Sequence, residues 1–185
     1  MNIIVKPYGS DICHCRPDTT WERENRDFYS PECVNEILYA PVIFARISKA
    51  GKCIGEKFVE RYYDGVGCGI LMYCAVSDTQ ITSCVDHTSI LPAPMHDPTA
   101  LEGTHEFAVT KNGERIVTLE TVDCRWKALL QEAVCKASKL TSLRIGDYIA
   151  VELTELQTLA KKEDEAAVLK GIFCENEIFD FKIIF

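Results

Sequence analysis

Two near-continuous apolar runs constrain this chain more than any other feature. Leu38–Ile47 reads LYAPVIFARI and Val66–Ala75 reads VGCGILMYCA. Their length and their β-branched and aromatic content suit buried strands. Pro41 interrupts the first run and points to an edge or a bulge, because proline cannot donate to a strand ladder. Gly67 and Gly69 in the second allow close approach of another backbone. Strands therefore dominate the expected fold.

The 185 residues suit one domain, 1–185, around a single core. Apolar residues make up 47% and charged residues 26%, a balance that does not favour disorder. The net charge of −8 disfavours nucleic acid and anionic membrane surfaces as partners. No stretch approaches the roughly 20 apolar residues that cross a bilayer. The start, MNIIVKPYGSD, turns polar too soon for a signal peptide and reads as a first strand, so the cytoplasm is the expected location. Ten cysteines are scattered without a CxxC pair, which fits reduced, buried thiols better than a disulfide framework.

Along the chain, Asp11–Asn35 reads as an ordered loop region. Glu56–Tyr63 places Phe58 and Tyr62 four apart and predicts a short helix ended by Asp64 and Gly65. Ser77–Thr104 is a long connection with prolines at 92, 94 and 98. Asn112-Gly113 predicts a hairpin between Phe107–Thr110 and Arg115–Leu119. Asp123 has the chemistry of an N-cap. After it, Trp126, Leu129, Leu130, Ala133, Val134 and Ala137 form a helical core stripe. Leu143–Asp147 turns into a strand at Tyr148–Leu153. Lys161–Glu165 is a solvated charge run. Ala166–Phe173 and Ile178–Phe185 make a closing hairpin around Glu175–Glu177.

Three collinear blocks resemble short bacterial members of the fumarylacetoacetate hydrolase family. Arg16–Thr19, RPDT, is similar to the family's K-P-D-T. Gly51–Asp78, GKCIGEKFVERYYDGVGCGILMYCAVSD, is similar to its G-K-x-I, R-Y-Y-D and G-I-D-F-T-A-R-D stretch. Thr141–Phe185 carries TSLRIGDYI, similar to T-L-x-x-G-D-x-I, and then a hairpin like the family's last. The resemblance implies an α+β, mainly β fold: a mixed β-roll or sandwich with one long and one short helix, usually homodimeric. It also implies a divalent metal holding a keto or enol acid for hydrolysis, isomerisation, hydration or decarboxylation.

The residues that give the family this chemistry are replaced. Its E-x-E pair falls on Ala40 and Val42, where period-two spacing would aim both side chains at one ion. The Asp of G-I-D-F falls on Leu71. Ser83 stands at the substrate-binding Lys position, Val151–Thr154 replaces T-G-T-P, and the N-terminal lid within 1–35 is shortened, with only His14 nearby. Arg46, Arg61, Tyr62, Tyr63, Asp64, Asp78, Asp86, Gly146 and Asp147 are retained and read as mainly structural. The expectation is a pseudoenzyme without metal or other cofactor. It would bind a small organic acid or a partner, as a homodimer or paired with an active relative.

Two alternatives stay open. A rearranged site would use Asp86, His87, Asp78 and Cys84 without a metal. A misplaced metal site would draw Mg²⁺ or Mn²⁺ ligands from Glu36, Glu56 and Glu60, the last two sharing a helix face. Cys13-His14-Cys15 has soft ligands, but adjacent residues of an extended chain diverge. Cys84 and His87 as nucleophile and base need a geometry that spacing alone does not supply. His96 and His105 are expected at the surface.

Overall fold

A computed structural model describes residues 1–77, 80–93, 95–121 and 125–185. In chain order the strands are β1 (Ile3–Lys6), β2 (His14–Arg16), β3 (Trp21–Glu22), β4 (Phe28–Tyr29), β5 (Glu36–Ile47), β6 (Tyr63–Ser77) and β7 (Gln80–Thr82). There follow β8 (Ser89–Ile90), β9 (Glu106–Lys111), β10 (Glu114–Glu120), helix α1 (Trp126–Leu140), β11 (Tyr148–Glu152), β12 (Gln157–Lys161), β13 (Ala166–Phe173) and β14 (Asn176–Ile184). A nine-stranded mixed sheet has the path β2-β1-β11-β5-β6-β8-β3, with β12 also on β5 and β7 on β6. A five-stranded sheet has the order β10-β9-β13-β14-β4. The fold is α+β and mainly β, as expected.

The two apolar runs are the centre of the larger sheet. β5 and β6 pair antiparallel along almost their whole length, from Glu36↔Ala75 to Ile47↔Tyr63. Strand β5 is interior rather than an edge, which corrects the reading of Pro41. Its far side is covered by β11 over Val42–Arg46 and by β12 over Glu36–Tyr39. Pro41 sits where one neighbour hands over to the next. Its carbonyl accepts from Leu153 N at 2.9 Å, so its hydrogen-less nitrogen faces that same gap and no ladder bond is lost.

One face of the larger sheet, α1 and the smaller sheet enclose the main core, which gathers Ile43, Val66, Ile70, Phe107, Trp126, Phe173 and Phe179. Trp126, Leu130, Ala133, Val134 and Ala137 of the expected stripe are buried. Leu129 is half-buried, and Asp123 lies outside the described residues. The hairpin turn at Asn112 and Gly113 has φ of 51° and 86°, the left-handed pair that Asn-Gly supplies.

Several boundaries differ from expectation. The expected short helix is a 3-10 helix over Glu56–Arg61, ending two residues earlier than Tyr63; it buries Val59 and leaves Phe58 exposed. Asp64 and Gly65 belong to β6, which begins at Tyr63. The closing hairpin turns through Cys174 and Glu175, both left-handed. His96 and His105 are half-buried, each meeting the Phe173 ring in a T-shaped arrangement. No helix among the described residues is long and apolar enough to cross a membrane.

Candidate functional site

Residues directly opposite one another in a sheet share a face. Ala40 lies opposite Leu71 and Val42 opposite Gly69. The three positions to which the resemblance assigns the family's ligands therefore come together on one face of β5 and β6. Glu152 of β11 lies opposite Val42, and Ala150 opposite Phe44. Ile3 of β1 lies opposite both Tyr148 and Arg16. This face is the second core of the molecule, built from Ile3, Val5, Val42, Phe44, Leu71, Tyr73, Leu91, Tyr148 and Ala150. Ala40, Val42 and Leu71 are each 0% exposed.

One polar cluster interrupts that apolar face. Glu152 is buried, accepts the Tyr73 hydroxyl through Oε1, and accepts the backbone N–H of Tyr8 through Oε2 at 3.1 Å. The guanidinium of Arg16, 1% exposed, lies 4.5 Å from the Tyr73 ring centroid. Arg16 donates to Thr88 O at 3.1 Å, to Ser89 Oγ at 2.8 Å and to Met72 O. Its Nε has no hydrogen-bond partner among the described residues. Burial draws the Arg16 guanidinium below its usual value, and Tyr73 and Glu152 oppose that pull. Burial pushes the Tyr73 phenol well up, which keeps it a neutral donor toward Glu152.

A hard divalent ion needs oxygen ligands at about 2.0–2.6 Å. Ala40, Val42 and Leu71 offer none, which leaves Glu152, hydrogen-bonded to Tyr73 and Tyr8, as a lone carboxylate beside them among the described residues. Among the described residues no three His, Cys, Asp or Glu side chains are placed to hold a metal. The residues present on this face do not fit the ion.

The carboxylates of the misplaced-ligand alternative are dispersed. Glu36 shares the face of Ala40 but lies four residues away, about 13 Å along the strand, and accepts Thr158 Oγ1 at 2.7 Å. Glu56 and Glu60 are exposed on the 3-10 helix, and Glu60 pairs with Lys127 at 3.0 Å. His14 and Cys15 are successive residues of β2 and point to opposite faces, with Cys15 exposed and Cys13, just before the strand, half-buried.

The metal-free candidates fall elsewhere. Asp78 lies outside the described residues. Asp86 and His87 line a separate cleft of about 610 Å³ with Arg26, Asp27, Phe28 and Tyr29. His87 has φ of 59°, and its Nδ1 lies 2.8 Å from Glu22 Oε2. The Glu22 side chain is 4% exposed and the His87 side chain 48%. The imidazole is thus tied to a buried carboxylate and not to Cys84, whose N–H donates to Thr82 Oγ1 at 3.2 Å.

Sequence reasoning missed Glu22, Glu152 and Arg16 as partners. Glu152 carried a signal, as the one acid in the apolar strand Tyr148–Leu153. Glu22 carried none, because its partner is 65 residues away.

No family model matches this sequence. No curated protein matches it either. Solved structures do match in shape. Fumarylpyruvate hydrolase from Pseudomonas aeruginosa, in complex with Mn²⁺ and pyruvate, is 14% identical with a TM-score of 0.78 over 100% of this chain and 89% of that one. A 5-carboxymethyl-2-hydroxymuconate delta-isomerase from Mycobacterium smegmatis is 12% identical, with a TM-score of 0.77 over 99% of this chain and 78% of that one. Maleylpyruvate hydrolase from a Sphingobium species is 15% identical, with a TM-score of 0.73 over 97% and 69%. At such identities the likeness establishes the fold. The chain has the fumarylacetoacetate hydrolase fold, in agreement with the resemblance read from its motifs.

Proposed function

We propose that this chain is a divergent fumarylacetoacetate hydrolase-fold protein that works without the family's metal, binding a small organic acid or a protein partner rather than turning over a substrate. One observation carries the reading: Ala40, Val42 and Leu71 adjoin on one sheet face and are sealed at 0% exposure within an apolar core. An apolar lining also avoids the cost of a buried acid cluster left without its ion. We place the protein in the cytoplasm, as a homodimer or paired with an active relative; light scattering on the purified chain tests the homodimer. The main test is the unfolding temperature with Mg²⁺, Mn²⁺ or EDTA, together with metal analysis of the same sample. An ion that binds only the folded state must raise the midpoint. No metal and no shift are expected; bound metal with an EDTA-sensitive midpoint would overturn the reading.

The His87–Glu22 pair favours a second reading, a metal-free enzyme acting on a keto or enol acid. A buried carboxylate holding Nδ1–H fixes the tautomer and leaves Nε2 as acid or base toward the cleft. Turnover of a panel of keto and acylpyruvate acids should then fall by about 10²–10⁴-fold in His87→Ala, with Glu22→Gln also impaired. Unchanged rates in both variants would dismiss these roles.

A further inference from the structure

We infer that the open end of the sealed sheet face is a binding cleft for an organic acid with a flat apolar body, an aromatic carboxylate being the class that fits. Arg46 lies four residues beyond Val42 on β5, about 13 Å along the strand, and beside it opens a cleft of about 700 Å³. That volume suits a small-molecule site. Phe44 and Ala150 separate the cleft from the old ligand positions.

The wall is aromatic and fixed. The rings of Trp21 and Tyr148 lie 5.0 Å apart at 47°, and Phe44 backs Tyr148 at 5.9 Å. Trp21 Nε1 donates to Leu91 O at 3.0 Å, which holds the indole in place. Two guanidiniums meet this wall. Arg23 lies 4.6 Å from the Trp21 ring centroid and has no carboxylate partner among the described residues. Arg46 gives Nε and Nη2 to a single oxygen of Asp64, each at 3.0 Å, so its other terminal nitrogen is uncommitted among the described residues. The second carboxylate of the cleft, Asp97, is turned to cap Thr99 N at 2.9 Å.

An arginine stacked on an indole, without an acid partner, on a chain of net charge −8 is matched to an incoming carboxylate. The stack orders the guanidinium before the ligand arrives, which lowers the entropic cost of the contact. Burial raises the Tyr148 phenol against the pull of Arg46 and Arg23, so it stays a neutral donor at the same spot. The apolar body of the ligand would lie along Trp21 and Met95, while its carboxylate meets Arg23 and Arg46.

The inference rests on the organic-acid reading above for its ligand class, but not for its location. Calorimetric titration with 2-naphthoate, and with uncharged 2-naphthamide, tests it. Saturable binding of the acid is expected, with the amide at least about tenfold weaker. Arg23→Gln should weaken the acid by about tenfold and leave the amide unchanged; because Arg23 has no carboxylate partner among the described residues and meets only the Trp21 ring, this variant should fold normally. Quenching of Trp21 fluorescence reports the location, since Trp126, the other tryptophan, is 0% exposed. Equal binding of acid and amide, an Arg23→Gln variant that binds like wild type, or no saturable binding at millimolar ligand would each overturn the cleft. Affinity abolished by EDTA would instead overturn the metal-free reading, so the two failures are distinguishable.

Discussion

At the scale of single residues, the Glu152 carboxylate and the Arg16 guanidinium are enclosed in an otherwise apolar face and share Tyr73 between them. Removing Glu152 leaves the Tyr73 hydroxyl and the Tyr8 N–H without their acceptor, while Arg16 keeps its bonds to Thr88, Ser89 and Met72. Glu152→Ala should lower the unfolding free energy by about 1–3 kcal/mol in urea denaturation; a loss near zero would mean that water solvates this cluster. His14, beside them on β2, titrates with a definite sign. Burial lowers its pKa from 6.5, and Arg16 adds to the shift. Its contribution to stability is fully present above that value and is lost as the pH falls through the lowered folded value. His14→Gln should therefore flatten the fall in unfolding temperature between about pH 7 and pH 5, and an unchanged slope would remove His14 as a cause.

At the scale of elements, the β5–β6 pair organises both cores, because its two faces feed them separately. Ile43, Val66 and Ile70 point to the main core, and Val42, Phe44 and Leu71 to the other. Strand β8 is held against β6 by a close approach at Gly69. A Cβ there would stand 2.1 Å from Ile90 O, a backbone atom that cannot step aside. Gly69→Ala should cost about 1–3 kcal/mol as overpacking, with the loss of stability read by chemical denaturation. It should also loosen β3, which pairs with β8 and carries both Trp21 and Glu22. A wild-type midpoint would show that β8 moves freely.

At the scale of the whole molecule, the register places Ala40, Val42 and Leu71 where three carboxylates would converge. This gives a test by reconstruction. The combined variant Ala40→Glu, Val42→Glu and Leu71→Asp should unfold at a lower temperature than wild type when metal is absent, because its new acids are buried unpaired. Mn²⁺ should restore the midpoint in a concentration-dependent way, while the wild type stays indifferent. An indifferent variant would mean that these three positions do not surround a common point.

The sequence by itself determined the mainly β fold, the two central strands, the Asn112-Gly113 hairpin and the helical stripe after Trp126. These follow from apolar runs, left-handed turn residues and local periodicity, which act over a few residues. It also named Ala40, Val42 and Leu71 as the positions to which the family resemblance assigns its ligands, because they sit at fixed offsets from motifs. Only the tertiary structure decided that those positions adjoin and are sealed, that Pro41 lies in an interior strand, and that Glu56–Arg61 is a 3-10 helix. It alone paired Glu22 with His87, enclosed Glu152 with Tyr73 and Arg16, and set Arg23 and Arg46 at one aromatic wall. The reason is common to all of these. A buried pair is chosen by which strands become neighbours and on which faces, and strands distant in the chain become neighbours only when the whole sheet closes.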